Sequence, residues 1–197
     1  MYDVTPPKKL AIAYSRRALR RPFEWLLMLD ARLKAASLDA SELLIAQIKL
    51  AWWRDAISAA PEARPKGEPM LQQLADIESA NGTMDLTLPA LTLIDAWTAL
   101  VCSDAEDAGA LADFASKRGE AVFVSYGQWI DAARADKIFE AGQEWALMDI
   151  GQTPPAAADP ATLPHPLAIL YHSAKLELSG SRRLDGIRLL WHAFLRS

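Results

Sequence analysis

The chain has little cysteine and no long apolar run. Cys102 is the single cysteine in 197 residues, so no intramolecular disulfide can form, and a lone thiol in an apolar helical stretch fits a reducing compartment. No apolar run approaches the roughly 18 residues that span a bilayer, and the N-terminus lacks the regions of a signal peptide. We therefore expect a soluble, cytoplasmic protein, for which peripheral contact with the inner membrane stays open.

The chain also lacks an excess of positive charge. The formal net charge is -4 and the pI is near 5.4, and because neutralising phosphates requires a basic surface, we expect no nucleic-acid partner. The exception is residues 8–21, which contain no acidic side chain and could meet a phosphate, a lipid headgroup or an acidic partner, although a solvated helix face is the simpler interpretation. The six basic residues there are Lys8, Lys9, Arg16, Arg17, Arg20 and Arg21.

The common catalytic constellations are missing. The sequence has no glycine loop to cradle a phosphate, no nucleophile elbow and no Cys-X-X-Cys pair. Its three histidines, His165, His172 and His192, lack the i, i+4 spacing and the neighbouring carboxylates of a metal site. We therefore expect no histidine-bound metal.

Apolar residues repeat at helical spacing almost throughout, and the breaks resemble helix ends rather than hairpin turns. This predicts one all-α domain over residues 1–197, with a proline- and alanine-rich connector at 153–166 crossing the surface in extended form. Capping boxes are predicted at Asp39 with Glu42 and at Ser103 with Glu106. The expected helices are Lys8–Leu19, Pro22–Ala36, Ala40–Ala60, Pro69–Ser79, Pro89–Cys102, a stretch from Ser103 toward Ile130, Ala132–Ile150, Pro166–Leu178 and Arg182–Leu195.

The tetrapeptide Trp-Trp-Arg-Asp at residues 52–55 lies in an apolar helical stretch. Adjacent helical residues point about 100° apart, so two neighbouring indoles can both be buried only where the helix is surrounded. Trp52 continues the row of Leu44 and Ile48, whereas Trp53 continues a second apolar row. We therefore predict a central helix with both tryptophans buried.

Asp30 is in phase with the apolar residues of its predicted helix, among them Leu26 and Leu33. A carboxylate on an apolar face must be compensated, because an unpaired buried charge is expensive. The favoured interpretation is a structural ion pair with Lys34 one turn on, or with an arginine of a facing helix such as Arg54. The functional alternative is a metal or diphosphate ligand that faces a central cavity.

Four motifs follow one another in the chain: Arg-Arg-Pro-Phe at 20–23, Leu-Leu-Met-Leu-Asp at 26–30, Ile-Lys-Leu-Ala-Trp-Trp-Arg-Asp-Ala-Ile at 48–57, and Gly-Glu-Pro-Met at 67–70. In this order they resemble the squalene/phytoene synthase family, from the N-terminus to about residue 150. The resemblance implies an all-α bundle of the isoprenoid (trans-prenyltransferase) synthase type around an apolar cavity. Active members join two prenyl diphosphates head to head, with Mg²⁺ held by two aspartate-rich motifs.

The aspartate motifs that the resemblance requires are incomplete here. Carboxylates at i and i+4 recruit the hard cations that neutralise a departing diphosphate. Lys34 stands where the first motif would have its second aspartate, and Thr153 follows Asp149 where the second motif would have one. Glu140 and Glu144 share i, i+4 spacing, but on an alanine-rich helix this is typical of a solvated face. The chain is also shorter than family members tend to be, so we expect a truncated bundle without metal ligands.

The first functional hypothesis is a non-catalytic family member that acts as a binding or assembly-factor module. It resembles the branch that includes mitochondrial respiratory complex I assembly factors. The basic N-terminal helix and exposed aromatic residues such as Trp129 or Trp145 would be contact points for a protein partner or the membrane surface, although a core position is the favoured interpretation of each tryptophan. No cofactor is expected for such a module.

The second hypothesis is a prenyl diphosphate transferase with atypical Mg²⁺ ligands. Asp30 would act with Glu140, Glu144 or Asp149, while arginines take diphosphate charge because their forked donors match phosphate oxygens. The third hypothesis is a protein that binds an apolar isoprenoid ligand in a cavity beside the Trp-Trp helix. The arginines considered are Arg16, Arg17, Arg20 and Arg54, and the residues expected to face a cavity or a diphosphate are Asp30, Arg20, Arg54, Trp52, Trp53 and Asp149.

Overall fold

The computed structural model describes residues 4–38, 42–81, 84–103, 107–131, 135–155 and 158–180. These residues form helices joined by turns, and none of them lies in a β-strand, which confirms the all-α prediction. Within the same ranges no helix is both long and apolar enough to cross a membrane. The predicted helix Arg182–Leu195, and the capping residues Asp39 and Glu106, lie outside the described residues.

The helices follow one another with short connections. A π turn at Glu120–Val124 joins the sixth helix to the seventh, and 3₁₀ turns lie at Arg17–Leu19, Pro61–Ala63 and Pro160–Thr162. The α-helices are α1 (Pro6–Ala13), α2 (Arg20–Leu38), α3 (Leu43–Ser58), α4 (Pro69–Asn81), α5 (Thr87–Cys102), α6 (Ala108–Gly119), α7 (Ser125–Ile130), α8 (Ala135–Met148) and α9 (His165–Leu178).

The first helix is shorter than predicted. Instead of running over Lys8–Leu19, it ends at Ala13, and the chain turns at Arg16, whose ψ of 138° is extended. The guanidinium of Arg20 donates to the carbonyls of Ala13 and Ser15 at 2.8 and 3.1 Å. These bonds satisfy carbonyl groups that a helix end leaves without partners. Arg20, which the sequence analysis considers as a diphosphate ligand, thus caps the C-terminal end of α1.

Among the described residues, neither Glu42 nor Ser103 makes the side-chain hydrogen bond of its predicted capping box. The helix predicted from Ser103 begins at Ala108, where Asp107 caps it by accepting from two backbone N–H groups. Ser103 instead follows the end of α5. Glu42 precedes Leu43, the first residue of α3, but its side chain makes no cap hydrogen bond. Side chains that can cap are common near helix ends, so spacing alone did not select the one used.

The hydrophobic core lies between α2 and the helices around it. α2 packs against α1, α3, α4 and α5, while α6 packs against α5 and α8. Several aromatic side chains are fully buried there, which is enough apolar surface to hold a bundle of this size together. They include Phe23, Trp25, Trp97, Phe114, Phe123, Tyr126, Trp145 and Tyr171.

The prediction that both adjacent tryptophans are buried is wrong for Trp52. Trp53 is only 6% exposed and packs into the core, whereas Trp52 is 40% exposed. Among the described residues α3 is covered on one side, by α2 and α5, and apolar side chains line its other side. We call this the α3 apolar face, formed by Leu43, Leu44, Ile45, Ile48 and Trp52.

Candidate functional site

Asp30 is fully buried and lies at the centre of a network of charges. Both of its carboxylate oxygens accept hydrogen bonds from Arg118, at 2.8 Å from Nε and 2.8 Å from Nη2. The Trp97 indole donates to Oδ1 at 3.1 Å, and the Lys8 ammonium donates to Oδ2 at 3.1 Å. The carboxylate that α2 places on its apolar face is therefore compensated from α1, α5 and α6.

Arg118 connects this carboxylate to a second one. Its Nη2 atom also donates to Asp149 Oδ2 at 2.6 Å, and Nη1 donates to the carbonyl of Ala146 at 3.1 Å. The guanidinium has no exposed surface, and flat aromatic faces favour such a desolvated cation. Its carbon lies 4.3, 5.0 and 5.6 Å from the ring centroids of Trp145, Trp97 and Phe114.

Lys34 completes the network from the outer side. Its ammonium donates to Asp149 Oδ2 at 2.9 Å and to the Asp149 backbone carbonyl at 2.7 Å. Asp149 directly follows the last residue of α8, so this cation also satisfies a carbonyl at a helix C-terminus, where positive charge is favoured. We call these five side chains the charge cluster: Lys8, Asp30, Lys34, Arg118 and Asp149.

The electrostatics of the charge cluster favour the ionised forms of Asp30, Asp149 and Arg118. Burial raises the pKa of Asp30, but the charges of Arg118 and Lys8 outweigh it and lower the pKa to about 2. Asp149 follows the same pattern, and its pKa lies well below the usual range because of Arg118, Lys8 and Lys34. Burial lowers the pKa of Arg118, yet both carboxylates together raise it above its ordinary value. Both aspartates are therefore ionised and paired at neutral pH.

Two glycines allow α6 and α8 to approach closely beside Arg118. A Cβ at Gly119 would lie 2.6 Å from the backbone carbon of Gly142 and 2.7 Å from the nitrogen of Gln143. A Cβ at Gly142 would lie 2.9 Å from the Cβ of Phe123. Contacts this short leave no room for any larger residue. The helix approach sets the distance at which Arg118 reaches α8.

The structure brings together some of the sequence-predicted residues and separates others. Asp30 and Asp149 meet at Arg118. Arg54 lies elsewhere and pairs with Asp95 of α5. Trp53 lies in the core, and the guanidinium carbon of Arg32 is 5.5 Å from the centroid of its ring. The direct partners predicted for Asp30, namely Lys34 and Arg54, are both wrong. Arg20 and Trp52 also lie away from the charge cluster, at the end of α1 and on the α3 apolar face.

Sequence reasoning missed Lys8 and Arg118 as partners of Asp30. Lys8 was grouped with the basic surface residues, but it is only 6% exposed. Arg118 carries the same signal that selected Asp30, because it is in phase with buried Phe114 and Val122 one turn before and after it. An ionic residue on an apolar helical face is a general indicator of a buried pair.

The other carboxylates considered for metal binding are not part of the charge cluster. Glu140 is exposed on α8. Glu144 is buried and not on a solvated face, which corrects the prediction. It accepts the Ala158 N–H and the Tyr171 hydroxyl, each at 2.5 Å. Burial and the Glu144 carboxylate raise the pKa of Tyr171. Glu144 thus attaches the connector to α9.

The aromatic contact points proposed from the sequence are not open surface. Trp145 is fully buried against Phe123, with ring centroids 5.1 Å apart. Trp129 is half-buried and packs edge-on against Tyr126. The favoured interpretation of Trp145 as a core residue is confirmed, whereas Trp129 keeps part of its surface exposed.

One cavity of the described chain borders the charge cluster, and two more lie elsewhere. One of about 280 Å³ is lined by Lys8, Lys34, Asp149, Leu38 and Glu177, among others. Two more, of about 460 and 380 Å³, lie beside Tyr14 and Tyr126 and between α6 and α8. None of these three is lined by Trp52 or Trp53.

The residues of the charge cluster do not fit a Mg²⁺ site. Mg²⁺ prefers an octahedral set of oxygen ligands. Here the carboxylate oxygens of Asp30 and Asp149 already accept hydrogen bonds from Lys8, Lys34 and Arg118. The cluster therefore contains three positive and two negative charges and has no excess of negative charge for a divalent cation. Within the described ranges no group of three or more His, Cys, Asp and Glu side chains could hold a metal ion.

Comparison with known protein families, with curated proteins and with solved structures finds no match for this chain.

Proposed function

We propose that this protein is a non-catalytic squalene/phytoene synthase-like bundle that acts as a binding or assembly-factor module. The observation that carries the proposal is the position of Arg118 between Asp30 and Asp149. These are the carboxylates on which the sequence resemblance would place the two metal motifs. A guanidinium joins them directly, where an active member would need divalent cations.

The charge balance supports the absence of prenyl transfer. Ionising an allylic diphosphate requires cations that contact the leaving group. Arg118 cannot lose its proton at any physiological pH, and it is fully enclosed by protein. A Mg²⁺ ion would have to displace both it and the ammonium groups from the carboxylates. Removing one partner of a buried pair leaves an uncompensated charge, which costs roughly 3–5 kcal/mol.

The remaining role of the cluster is to hold helices together. Its side chains come from α1, α2, α6 and the end of α8, so one network fixes four segments. Such a scaffold leaves binding to the surface. Two surface features support a binding module: the α3 apolar face and the exposed arginines of the N-terminal segment, Arg16, Arg17, Arg20 and Arg21.

The proposal is tested by calorimetric titration of the purified protein with farnesyl and geranylgeranyl diphosphate, with and without Mg²⁺. Product extraction and mass spectrometry are run in parallel. We expect no head-to-head product and no strengthening of binding by Mg²⁺. A Mg²⁺-dependent C30 or C40 product would overturn the proposal.

One observation favours the transferase alternative, namely that Asp30 and Asp149 converge on one atom of Arg118. If the alternative held, Mg²⁺ would strengthen diphosphate binding, and Asp149→Asn would abolish that effect while Asp95→Asn on the exposed side of α5 would not. Binding of farnesol that ignores Mg²⁺ would instead favour an isoprenoid-binding protein.

A further inference from the structure

The largest of the three cavities described above lies where the end of α1, the end of α7 and the start of α9 meet. Its volume is about 460 Å³, which is in the range of small-molecule binding sites. No residue of the charge cluster or of the α3 apolar face lines it. Its lining includes Tyr14, Arg16, Tyr126, Ile130, Asp131 and His165.

Arg16 gives this cavity a guanidinium group that the fold itself does not use. Within the described ranges its side chain forms no hydrogen bond and no ion pair, so its five donors are available to a ligand. The Arg16 carbonyl accepts the Leu19 N–H at 2.8 Å, and Arg20 bonds to the carbonyls of Ala13 and Ser15 in the preceding turn. The Arg16 backbone is therefore positioned before a ligand binds.

A buried hydroxyl pair supplies a second recognition group. The Tyr126 hydroxyl lies 3.0 Å from Oγ of Ser15, and either oxygen can be the donor. When Ser15 donates, the hydroxyl hydrogen of Tyr126 is free to point into the cavity. Burial raises the pKa of Tyr126, so this hydroxyl keeps its proton at neutral pH. It can therefore donate to a ligand that also contacts Arg16, whose charge acts on the same hydroxyl.

His165, the first residue of α9, adds a third donor. Within the described part of the chain its imidazole has no hydrogen-bond partner, and at least one ring nitrogen carries a hydrogen in either protonation state. Tyr14, Ile130, Pro164 and Pro166 supply apolar surface to the same cavity, and Tyr14 is 43% exposed. Three donors beside an apolar wall fit an anionic group that is attached to an apolar body.

The π turn at Glu120–Val124 immediately precedes the helix that supplies Tyr126 and Ile130. Such a turn adds about one residue to a helix and so rotates the side chains that follow it. Tyr126 and Ile130 are four residues apart, so they lie on one side of α7, and both line the cavity. Turns of this kind often lie at functional sites.

We infer that this cavity binds a small organic monocarboxylate, with an aromatic ring or a short alkyl chain as its body. The two oxygens of a carboxylate match the fork of Arg16 and can accept two parallel hydrogen bonds. A single charge is favoured because Asp131 also lines the cavity, and its carboxylate repels a phosphate monoester, which carries nearly two negative charges. The site does not rest on the proposed function, since it shares no residue with the charge cluster or the α3 apolar face.

The inference is tested by calorimetric titration of the full-length protein with phenylacetate, benzoate and hexanoate. Each acid that binds is compared with an alcohol and with a phosphate monoester of the same body, which for phenylacetate are phenethyl alcohol and phenyl phosphate. We expect one site per chain, with a Kd below about 1 mM for at least one acid. Its alcohol and its phosphate monoester should bind at least about tenfold more weakly.

Substitution of Arg16 tests the assigned ion pair. Arg16 is exposed, so its variants should fold, which thermal unfolding checks. Arg16→Gln should weaken binding at least about tenfold, and Arg16→Lys, which keeps the charge but not the fork, should weaken it by a smaller factor. The matched control is Arg54→Gln, which removes the same charge from α3 and should change the Kd less than twofold.

Proton NMR locates the bound acid without altering the cavity. His165 lines the cavity, whereas His172 lies further along α9 and is not part of the lining. The ring signal of His165 should shift during the titration with the Kd that calorimetry gives, while the signal of His172 should stay in place. His165→Gln assigns the signal.

Several results would contradict this site: no acid that binds with a Kd below about 1 mM, equal weakening by Arg16→Gln and Arg54→Gln, or an alcohol that binds as tightly as its acid. Tighter binding of the phosphate monoester would assign the cavity to phosphates instead. A shift of the His172 signal in place of the His165 signal would put the ligand elsewhere. None of these results bears on prenyl transfer, which the titration with prenyl diphosphates tests separately.

Discussion

Arg118 and Asp30 meet through two parallel hydrogen bonds, each 2.8 Å long, in a position with no exposed surface on either side chain. This pair links α6 to α2 across the centre of the bundle. Because Arg118 also donates to Asp149, the fold of this protein depends on an interaction at the place where the resemblance would put metal chemistry.

The first prediction concerns the loss of the guanidinium. Arg118→Gln leaves two ionised carboxylates in the interior with fewer donors, and we expect the free energy of unfolding to fall by about 3–5 kcal/mol. Urea denaturation followed by tryptophan fluorescence measures it. The control is Arg54→Gln, which breaks a pair whose side chains are 42% and 38% exposed and should change stability by about 0–1 kcal/mol. Equal effects of the two variants would contradict a structural role for the buried pair.

The second prediction is a dependence of stability on acid pH. The pKa of Asp30 is lowered to about 2 in the folded protein from an ordinary value of 3.8. Its folded pKa lies below its unfolded pKa, so the stabilisation is complete above about pH 4 and is lost as the pH falls toward 2. Ionised Asp30 contributes on the order of 2 kcal/mol to the free energy of unfolding at neutral pH.

Asp30→Asn removes this titration. The stability difference between the natural protein and the variant should therefore be largest at pH 7 and should shrink between pH 4 and pH 2 in urea denaturation. Asp95→Asn, which removes an exposed carboxylate, should show a difference that hardly varies over the same range. A stability difference between the natural protein and Asp30→Asn that stays constant with pH would show that the Asp30 carboxylate is not ionised and paired.

The sequence predicted the helices well because their signal is local. Apolar spacing placed α2, α4, α5 and α9 within a few residues of their ends. The same spacing showed that Asp30 must be compensated. It could not name the partner, because Asp30 and Arg118 are 88 positions apart in the chain and their contact depends on how α2, α5 and α6 pack.

The error at Trp52 has a similar cause. Two apolar rows on α3 are visible in the sequence, but which row faces the core depends on the neighbouring helices. The row of Leu50 and Trp53 faces α2 and α5, and the row of Ile48 and Trp52 does not. Local periodicity identified both rows but could not show which of them is buried.

The third prediction concerns the close approach of α6 and α8. Gly119→Ala introduces a methyl carbon 2.6 Å from the backbone carbonyl carbon of Gly142. The two helices must therefore move apart, and Arg118 must move away from α8. Overpacking of this kind should lower the free energy of unfolding by about 1–3 kcal/mol, as measured in urea. Gly109→Ala near the exposed start of α6, where the nearest atom is a side-chain oxygen of Asp107 at 3.2 Å, should change it by less than about 1 kcal/mol. A Gly119→Ala protein as stable as Gly109→Ala would contradict this packing.

The last prediction concerns Glu144 and the connector. Glu144→Met removes both acceptor oxygens and keeps a side chain of similar length, so the Ala158 N–H and the Tyr171 hydroxyl lose the acceptor that they share. A buried donor without an acceptor costs about 1–3 kcal/mol, and we expect faster subtilisin cleavage within residues 153–166. Glu140→Met on the exposed side of the same helix should leave the cleavage rate and the stability unchanged.

Tyr171→Phe separates the two contacts of Glu144. Glu144→Met leaves the Tyr171 hydroxyl without its acceptor. Removing that hydroxyl as well eliminates the unpaired donor, so the double variant should be more stable than the sum of the single effects predicts. Coupling between contacting groups is typically about 0.5–3 kcal/mol, which urea denaturation resolves. Additive effects, together with unchanged cleavage of the connector, would mean that Glu144 does not hold residues 153–166 against α9.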